Sequence, residues 1–214
     1  MTTLQIIGLL AYIASLFFTV RHLDLKQLVE DKKLQHLVFG CAASVFILWM
    51  FRAGIYDGLN VHFLWLAALS LILGLRWAIV CSFISLLGVT IAGLENWAMF
   101  GINGVLGALI PLSVSYLIYN LSFHKLPRHF FVYVFICAFF PGAILIALKM
   151  ALLGGYYFVD GFHDWNTVKD NFLILIPLML FPEAMLNGMT MTLLIIYKPT
   201  WVYTFYDKFY LQDK

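Results

Sequence analysis

Seven apolar runs alternate with short polar segments along the 214-residue chain. They cover about residues 4–20, 37–51, 59–74, 77–93, 98–119, 130–153 and 172–197. A straight membrane-spanning helix needs roughly 20 apolar residues, so the shorter runs must borrow residues from their flanks. The runs are too long for the strands of a membrane barrel and lack its two-residue alternation. We therefore predict an all-α membrane bundle of about seven transmembrane helices.

The boundary between the third and fourth runs is unusually short. Only Leu75 and Arg76 separate them. Two membrane-crossing segments joined by so few residues must lie side by side and run in opposite directions. We predict a tight helical hairpin at this point.

Composition supports the same class. The chain is 63% hydrophobic and 11% charged, with a mean hydropathy of +0.93, whereas soluble domains carry roughly 25% charged residues. No linker interrupts it, so we predict one integral domain, residues 1–214, in the cell membrane. The net charge of +2 and the lack of long basic stretches argue against nucleic-acid binding. The three cysteines are dispersed in apolar runs without CxxC spacing, which is typical of packing residues.

Arginine and lysine placement predicts the orientation. With the N-terminus outside and the first run retained as a span, ten of these cations fall in cytoplasmic segments and three outside, as short loops of membrane proteins require. The C-terminus is then cytoplasmic. The ten inner cations are Arg21, Lys26, Lys32, Lys33, Arg76, Lys125, Arg128, Lys198, Lys208 and Lys214, and the three outer ones are Arg52, Lys149 and Lys169.

Carboxylates and imidazoles collect at the predicted outer side. His62 lies about one helical turn into the third run, roughly 5 Å deep. Neutral imidazole is a common ligand of divalent transition metals. We predict a candidate metal site with ligands from His62, Asp57, His163 and Asp164. The alternative is that His62 is a hydrogen-bonded packing residue.

The fifth run carries a stripe of small residues. Gly101, Gly104 and Gly107 recur every three residues, which favours close packing against a neighbouring helix. Asn103 lies about as deep as His62. Its amide is predicted either to orient the imidazole by a hydrogen bond or to join two helices.

The stretch "FPEAMLNGM" places a carboxylate near the middle of the last run. Glu183 and Asn187 are four residues apart and share one helix face, beside a break predicted at Pro182. Carboxylates at this depth are costly and indicate a role. That role is an ion pathway, a proton acceptor or a structural anchor to another span. Helix rise places Glu183 roughly 10 Å deeper than His62, too far for one ion to contact both.

Catalytic motifs are missing from the sequence. It has no HExxH, GxSxG, CxxC or GxxxxGK[ST] pattern. The chain is therefore not expected to be an enzyme or to hydrolyse ATP through a P-loop. Active transport would need energy from a partner or an ion gradient.

Two segments carry a family resemblance. "GLNVHFLWLAALSLILGLRWAIV" and "LENWAMFGINGVLGALIPLSVSYLIY" resemble the core of the CbiM-like, cobalt and nickel branch of energy-coupling factor substrate-capture subunits. His62, Gly74 and Asn103 match that family's histidine, hairpin glycine and later asparagine. The chain begins Met1-Thr2-Thr3 where the family begins Met-His, and Leu75 replaces the hairpin proline. The resemblance therefore implies His62 as a ligand and Asn103 as a supporting residue.

The resemblance also implies a function. We expect the substrate-binding membrane component of a transition-metal uptake transporter, driven by a separate coupling membrane subunit and ABC ATPases. Its substrate would be a divalent transition metal, with no permanently bound cofactor and the lipid bilayer as its surroundings. Two alternatives stay open. One is a membrane assembly or insertion factor for another protein, and the other is a membrane enzyme that uses Glu183 as acid or base.

Overall fold

The computed structural model describes residues 1–206, so Lys208 and Lys214 lie outside the described residues. Within that range the predicted all-α bundle is confirmed. Six helical stretches are long and apolar enough to cross a membrane, and the described residues form no strand beyond a single β-bridge. The helices are α1 Thr3–Arg21, α2 Leu25–Glu30, α3 Lys32–Met50, α4 Leu66–Ile91, α5 Trp97–Lys125, α6 Phe130–Val159, α7 Trp165–Asn171 and α8 Ile176–Tyr197.

Helix α4 consists of two limbs, residues 66–73 and 75–91, joined at Gly74. Gly74 has φ +76° and ψ 165°, a conformation that side-chain-bearing residues rarely adopt. The ring of Tyr203 lies 3.0 Å from the position that a Cβ would take there. A glycine is therefore required both by the backbone and by the close approach of the ring.

The first limb follows α8 in the same direction. Near the start of α8, Leu64 N donates to Glu183 Oε2 at 2.9 Å. One turn further along both segments, Ala68 N donates to Asn187 Oδ1 at 2.9 Å. The first limb and α8 are therefore parallel.

The second limb follows α3 in the same direction. Cys81 Sγ donates to the Val38 carbonyl at 3.3 Å, and Ser85 Oγ donates to the Ala42 carbonyl at 2.8 Å. Inside the membrane no water is available, so these carbonyls satisfy the thiol and the hydroxyl. The second limb is therefore parallel to α3.

Helices α3 and α8 are antiparallel, so the two limbs of α4 are antiparallel as well. Lys33 Nζ, at the start of α3, donates to the carbonyl of Thr200, beyond the end of α8. Trp49 Nε1, near the end of α3, donates to the carbonyl of Leu64, beside Glu183. The predicted hairpin is therefore present, and residues 1–206 make seven passes. Following the predicted orientation, we call the end with Lys33 and Thr200 the inner end and the opposite end the outer end.

The third pass is not the continuous helix that its hydropathy predicts. Its helical limb has eight residues and a length of about 12 Å, which is too short to cross a bilayer. Residues 51–65 precede it without helical structure, pinned by a bridge between Ala53 and Val61. An extended chain rises about 3.3 Å per residue, so this entry segment provides the remaining length.

The glycine stripe of α5 packs closely against α1 at two of its three positions. A Cβ at Gly101 would lie 2.3 Å from the backbone of Leu9, and one at Gly104 would lie 2.3 Å from the ring of Tyr12. Gly107 differs, because a Cβ there would meet only Lys149, at 3.7 Å. Gly107 thus faces a side chain of α6 rather than a closely packed backbone.

Helices α5 and α6 each widen into a π-helical stretch, Asn103–Leu109 and Tyr133–Phe139. Each stretch ends just before a proline, Pro111 or Pro141. A proline has no N–H to donate to the preceding turn, and wider turns of this kind are frequent at functional sites. The π turn of α5 sets the positions of both Asn103 and Gly107.

Candidate functional site

Glu183 and Asn187 cap the helical limb of the third pass. Glu183 accepts hydrogen bonds from Leu64 N at 2.9 Å and from Trp65 N at 2.7 Å. Asn187 accepts from Ala68 N at 2.9 Å and donates to Glu183 at 2.8 Å. These N–H groups lie at the start of the limb, which has no cap of its own, because Trp65 adopts φ +56° and offers no side-chain bond. The carboxylate also lies at the positive end of the helix dipole.

This cap is closed off from solvent. Glu183 is 1% exposed and Asn187 0% exposed. Gly142 of α6 packs directly against them, so that a Cβ would lie 2.9 Å from the Glu183 carbonyl and 3.0 Å from Asn187 Nδ2. Pro182 lies inside α8, immediately before the carboxylate. Of the three roles left open for Glu183, these contacts are those of a structural anchor between two passes.

His62 lies in the entry segment and is buried, with 7% of its surface exposed. Its Nδ1 lies 2.9 Å from the carbonyl of Phe63, and its Nε2 lies 2.5 Å from Nζ of Lys149. The ring of Trp49 packs beside it, with centroids 5.5 Å apart. Both imidazole nitrogens are therefore engaged within the protein.

Lys149 is buried, which differs from the placement predicted from the sequence. It was predicted as one of three outer cations, but it lies inside α6 with 6% exposure and contacts His62. Its stem lies near Gly107, where a Cβ would be 3.7 Å from Cε of the lysine. Lys149 is thus a buried cation at the candidate site.

A second polar pair lies next to it. Arg52 forms an ion pair with Glu95 and also donates to the carbonyls of Trp49 and Leu94. Asn103 Nδ2 donates to Glu95 Oε2 at 2.8 Å. Of the two roles left open for Asn103, the bond to the imidazole is not formed: the amide contacts Glu95, and the ring of His62 is held by other groups.

The two pairs meet at the boundary of two cavities. A cavity of about 390 Å³ at the outer end has three acidic residues in its lining, Asp57, Glu95 and Asp160. A small cavity of about 20 Å³ is lined by His62 and Lys149. Both cavities are lined by Gly58, Asn60 and Glu95. An acidic outer chamber therefore adjoins the buried histidine.

The other predicted ligands do not join His62. His163 Nε2 lies 2.9 Å from the backbone carbonyl of Asp57, not from its carboxylate. Asp164 caps α7, and its hydrogen bonds with Thr167 hold the pKa of its carboxyl below its usual range. In residues 1–206 no three histidine, cysteine or acidic side chains lie close enough together to hold a metal ion. The predicted four-ligand set is therefore not assembled in this conformation.

Sequence reasoning missed Lys149 and the Arg52–Glu95 pair. The signal for Lys149 was present, because a lysine inside the apolar run 130–153 is as anomalous as Glu183 in its own run. It was treated as a flanking charge instead. No sequence signal pairs Arg52 with Glu95, since they are 43 positions apart.

Comparisons with known proteins agree on the fold. The family model CbiM, "Cobalt uptake substrate-specific transmembrane region", matches residues 3–201. A crystal structure of a truncated transition metal transporter aligns with a TM-score of 0.74 and 18% identity, covering 90% of this chain and 94% of that one. A second crystal structure of a transition metal transporter aligns with a TM-score of 0.72 and 17% identity, covering 89% and 87%. No curated protein sequence matches the chain.

Proposed function

The chain belongs to the CbiM family of cobalt-uptake transmembrane regions, and we propose that it captures a divalent transition-metal ion at its outer end for uptake. It is a multi-pass membrane protein of a transport family rather than of an enzyme family. The observation that carries the proposal is the acidic outer cavity next to the buried imidazole of His62.

The arrangement suits a cation that loses its water in stages. The negative charges of Asp57 and Asp160, which line the outer cavity, attract a hydrated cation, whereas the charge of Glu95 is balanced by Arg52. The imidazole of His62 then offers a nitrogen ligand, which divalent cobalt and nickel prefer over oxygen more than magnesium or calcium do. Selectivity would arise at the histidine, and attraction at the carboxylates.

Energy and release would come from other subunits. The sequence has no P-loop with which to bind ATP. The family description names a substrate-specific region, which fits one component of a larger transporter. We therefore assign the remaining functions to a coupling membrane subunit and separate ABC ATPases.

Calorimetric titration of the purified protein with cobalt and nickel chloride tests capture. The wild type is expected to bind, and His62→Ala is expected to lose at least tenfold in affinity because the nitrogen ligand is gone. His36→Ala, which alters an exposed histidine of α3, is the matched control and should bind like the wild type. Equal affinity in all three proteins would contradict the assignment of His62.

Uptake tests the partners. Cells that express the chain together with the candidate coupling subunit and ATPases should accumulate cobalt in an ATP-dependent manner, and cells that express the chain alone should not. Failure of the three proteins to co-purify from detergent would remove the proposed partnership without touching the binding site.

A second function, an assembly or insertion factor for another membrane protein, is favoured by one observation. No group of three metal-binding side chains is assembled among residues 1–206. Co-purification with a single membrane partner, together with unchanged cellular cobalt and nickel after deletion, would support this function over transport.

A further inference from the structure

We infer that Lys149 gates this site: its ammonium group occupies the nitrogen of His62 that a metal ion needs, and an ion enters only by displacing it. The inference rests on the proposed function, because it concerns the same histidine. It assigns a role to a residue of α6 that is remote in sequence from the resembling segments.

The hydrogen bonds determine which nitrogen of His62 carries the lone pair. The carbonyl of Phe63 can only accept, so Nδ1, 2.9 Å away, must carry the hydrogen. In the neutral ring Nε2 then holds the lone pair, and the Lys149 ammonium, at 2.5 Å, donates to it. A metal ion binds imidazole through this same lone pair. Lys149 and a metal ion are therefore mutually exclusive partners of Nε2.

Charge reinforces the competition. The positive charge of Arg52 is balanced by Glu95 in the neighbouring ion pair. The carboxylate of Glu183, the other acid that acts on Lys149, is engaged with the backbone of the third pass. Within residues 1–206 no carboxylate lies within ion-pair distance of Lys149 Nζ. A divalent ion placed at Nε2 would thus meet an unbalanced positive charge at short range.

The surroundings offer the Lys149 ammonium other hydrogen-bond acceptors. Gly107 presents no side chain to its stem, and the nearest approach of a Cβ there would be an ordinary contact of 3.7 Å. The small cavity beside Nζ is also lined by Glu95 and Asn103, whose oxygens can accept from an ammonium group. A shift of the lysine toward Glu95 frees Nε2 and replaces one acceptor with another. The ammonium thus has a polar destination when the ion arrives.

The test is a metal titration of Lys149→Met, which keeps the length of the side chain and removes its charge. Nickel and cobalt affinity should rise at least tenfold over the wild type. The gain should disappear in the double variant His62→Ala/Lys149→Met, because it requires the freed Nε2. Lys169→Met, which removes an exposed lysine on α7, should leave affinity unchanged.

A second variant and a spectroscopic measurement test whether the gain comes from the lost charge and from binding at His62. Lys149→Gln, which is also uncharged, should give a gain of the same sign, and bound cobalt should show a His62-dependent absorption band in both variants. Unchanged or weaker affinity in the two variants would overturn the inference, since Lys149 would then be a bystander or a ligand. The proposed function fails separately, if the wild type itself neither binds nor accumulates metal.

Discussion

The chain buries two ionisable side chains of opposite sign, Glu183 and Lys149, and the two regions treat them differently. Glu183 is 1% exposed and accepts three hydrogen bonds, two of them from backbone N–H groups. Lys149 is 6% exposed and donates to one partner, a side chain beside a cavity. The carboxylate replaces missing backbone bonds, whereas the ammonium contacts a nitrogen that another cation can use.

The difference shows that the role of an intramembrane charge is inferred from its contacts. Depth alone indicates that the charge has a role but does not say which. A charge that caps the backbone N–H groups of a broken pass belongs to the architecture. A charge that faces a movable side chain at the edge of a polar cavity belongs to the site.

The largest expected effect is at the cap. Glu183→Ala strands the N–H groups of Leu64 and Trp65 in an apolar interior. Each such group costs about 1–3 kcal/mol, so the free energy of unfolding should fall by roughly 2–6 kcal/mol. Thermal unfolding in detergent measures this, and Glu183→Gln, which keeps one acceptor oxygen, should lie between. The exposed Glu30→Ala is the control, and an equal loss there would contradict the capping role.

A smaller effect separates two glycines of α5. Gly101→Ala places a methyl group 2.3 Å from the backbone of Leu9 and should destabilise by about 1–3 kcal/mol through overpacking. Gly107→Ala, on the side of Lys149, should change stability by no more than about 0.5 kcal/mol. Gly155→Ala, where a Cβ would contact nothing within 4 Å, is the neutral reference. Similar losses at both α5 positions would mean that the stripe packs uniformly.

A further bond supports the cap from a neighbouring position. Trp65 Nε1 donates to Thr190 Oγ1 at 2.9 Å, which helps hold Trp65 in its left-handed conformation. Thr190→Val should therefore cost about 1 kcal/mol. Thr192→Val is the matched control, because Thr192 bonds only the Gly188 carbonyl one turn earlier. If the melting curves of the two variants coincide, the bond between Trp65 and Thr190 does not support the cap.

A small effect on stability is also expected at the site itself. Lys149→Met leaves the His62 lone pair without a donor but also removes a poorly paired buried charge, and the two contributions offset. The free energy of unfolding should stay within about 1 kcal/mol of the wild type. A loss as large as that of Glu183→Ala would place Lys149 in the architecture and end the distinction between the regions.

The sequence predicts the passes better than their conformation. Seven apolar runs and the two-residue boundary at Leu75 were sufficient to predict the hairpin. Hydropathy depends only on composition, however, so a buried extended segment can have the same hydropathy as a helix. The depth of His62 was therefore derived with a rise of 1.5 Å per residue in a segment that is not helical.

The contacts between residues that are far apart in sequence were the harder part of the site to predict. Glu183 and Asn187 were recognised as a pair because they share a helix face, but their partners lie 118 or more positions away. Lys149 and His62 are 87 positions apart. Only the packing of α6 against the entry segment brings them together, and no local pattern encodes it.

The borrowed cap of the third pass also has a consequence for biogenesis. Residues 64–73 are synthesised more than 100 positions before Glu183 and Asn187, which accept hydrogen bonds from the N–H groups of Leu64, Trp65 and Ala68. While the chain is still being made, this short limb has neither the length nor the cap to persist in lipid. Its final position in the membrane should therefore be decided late, when α8 inserts and supplies these two caps.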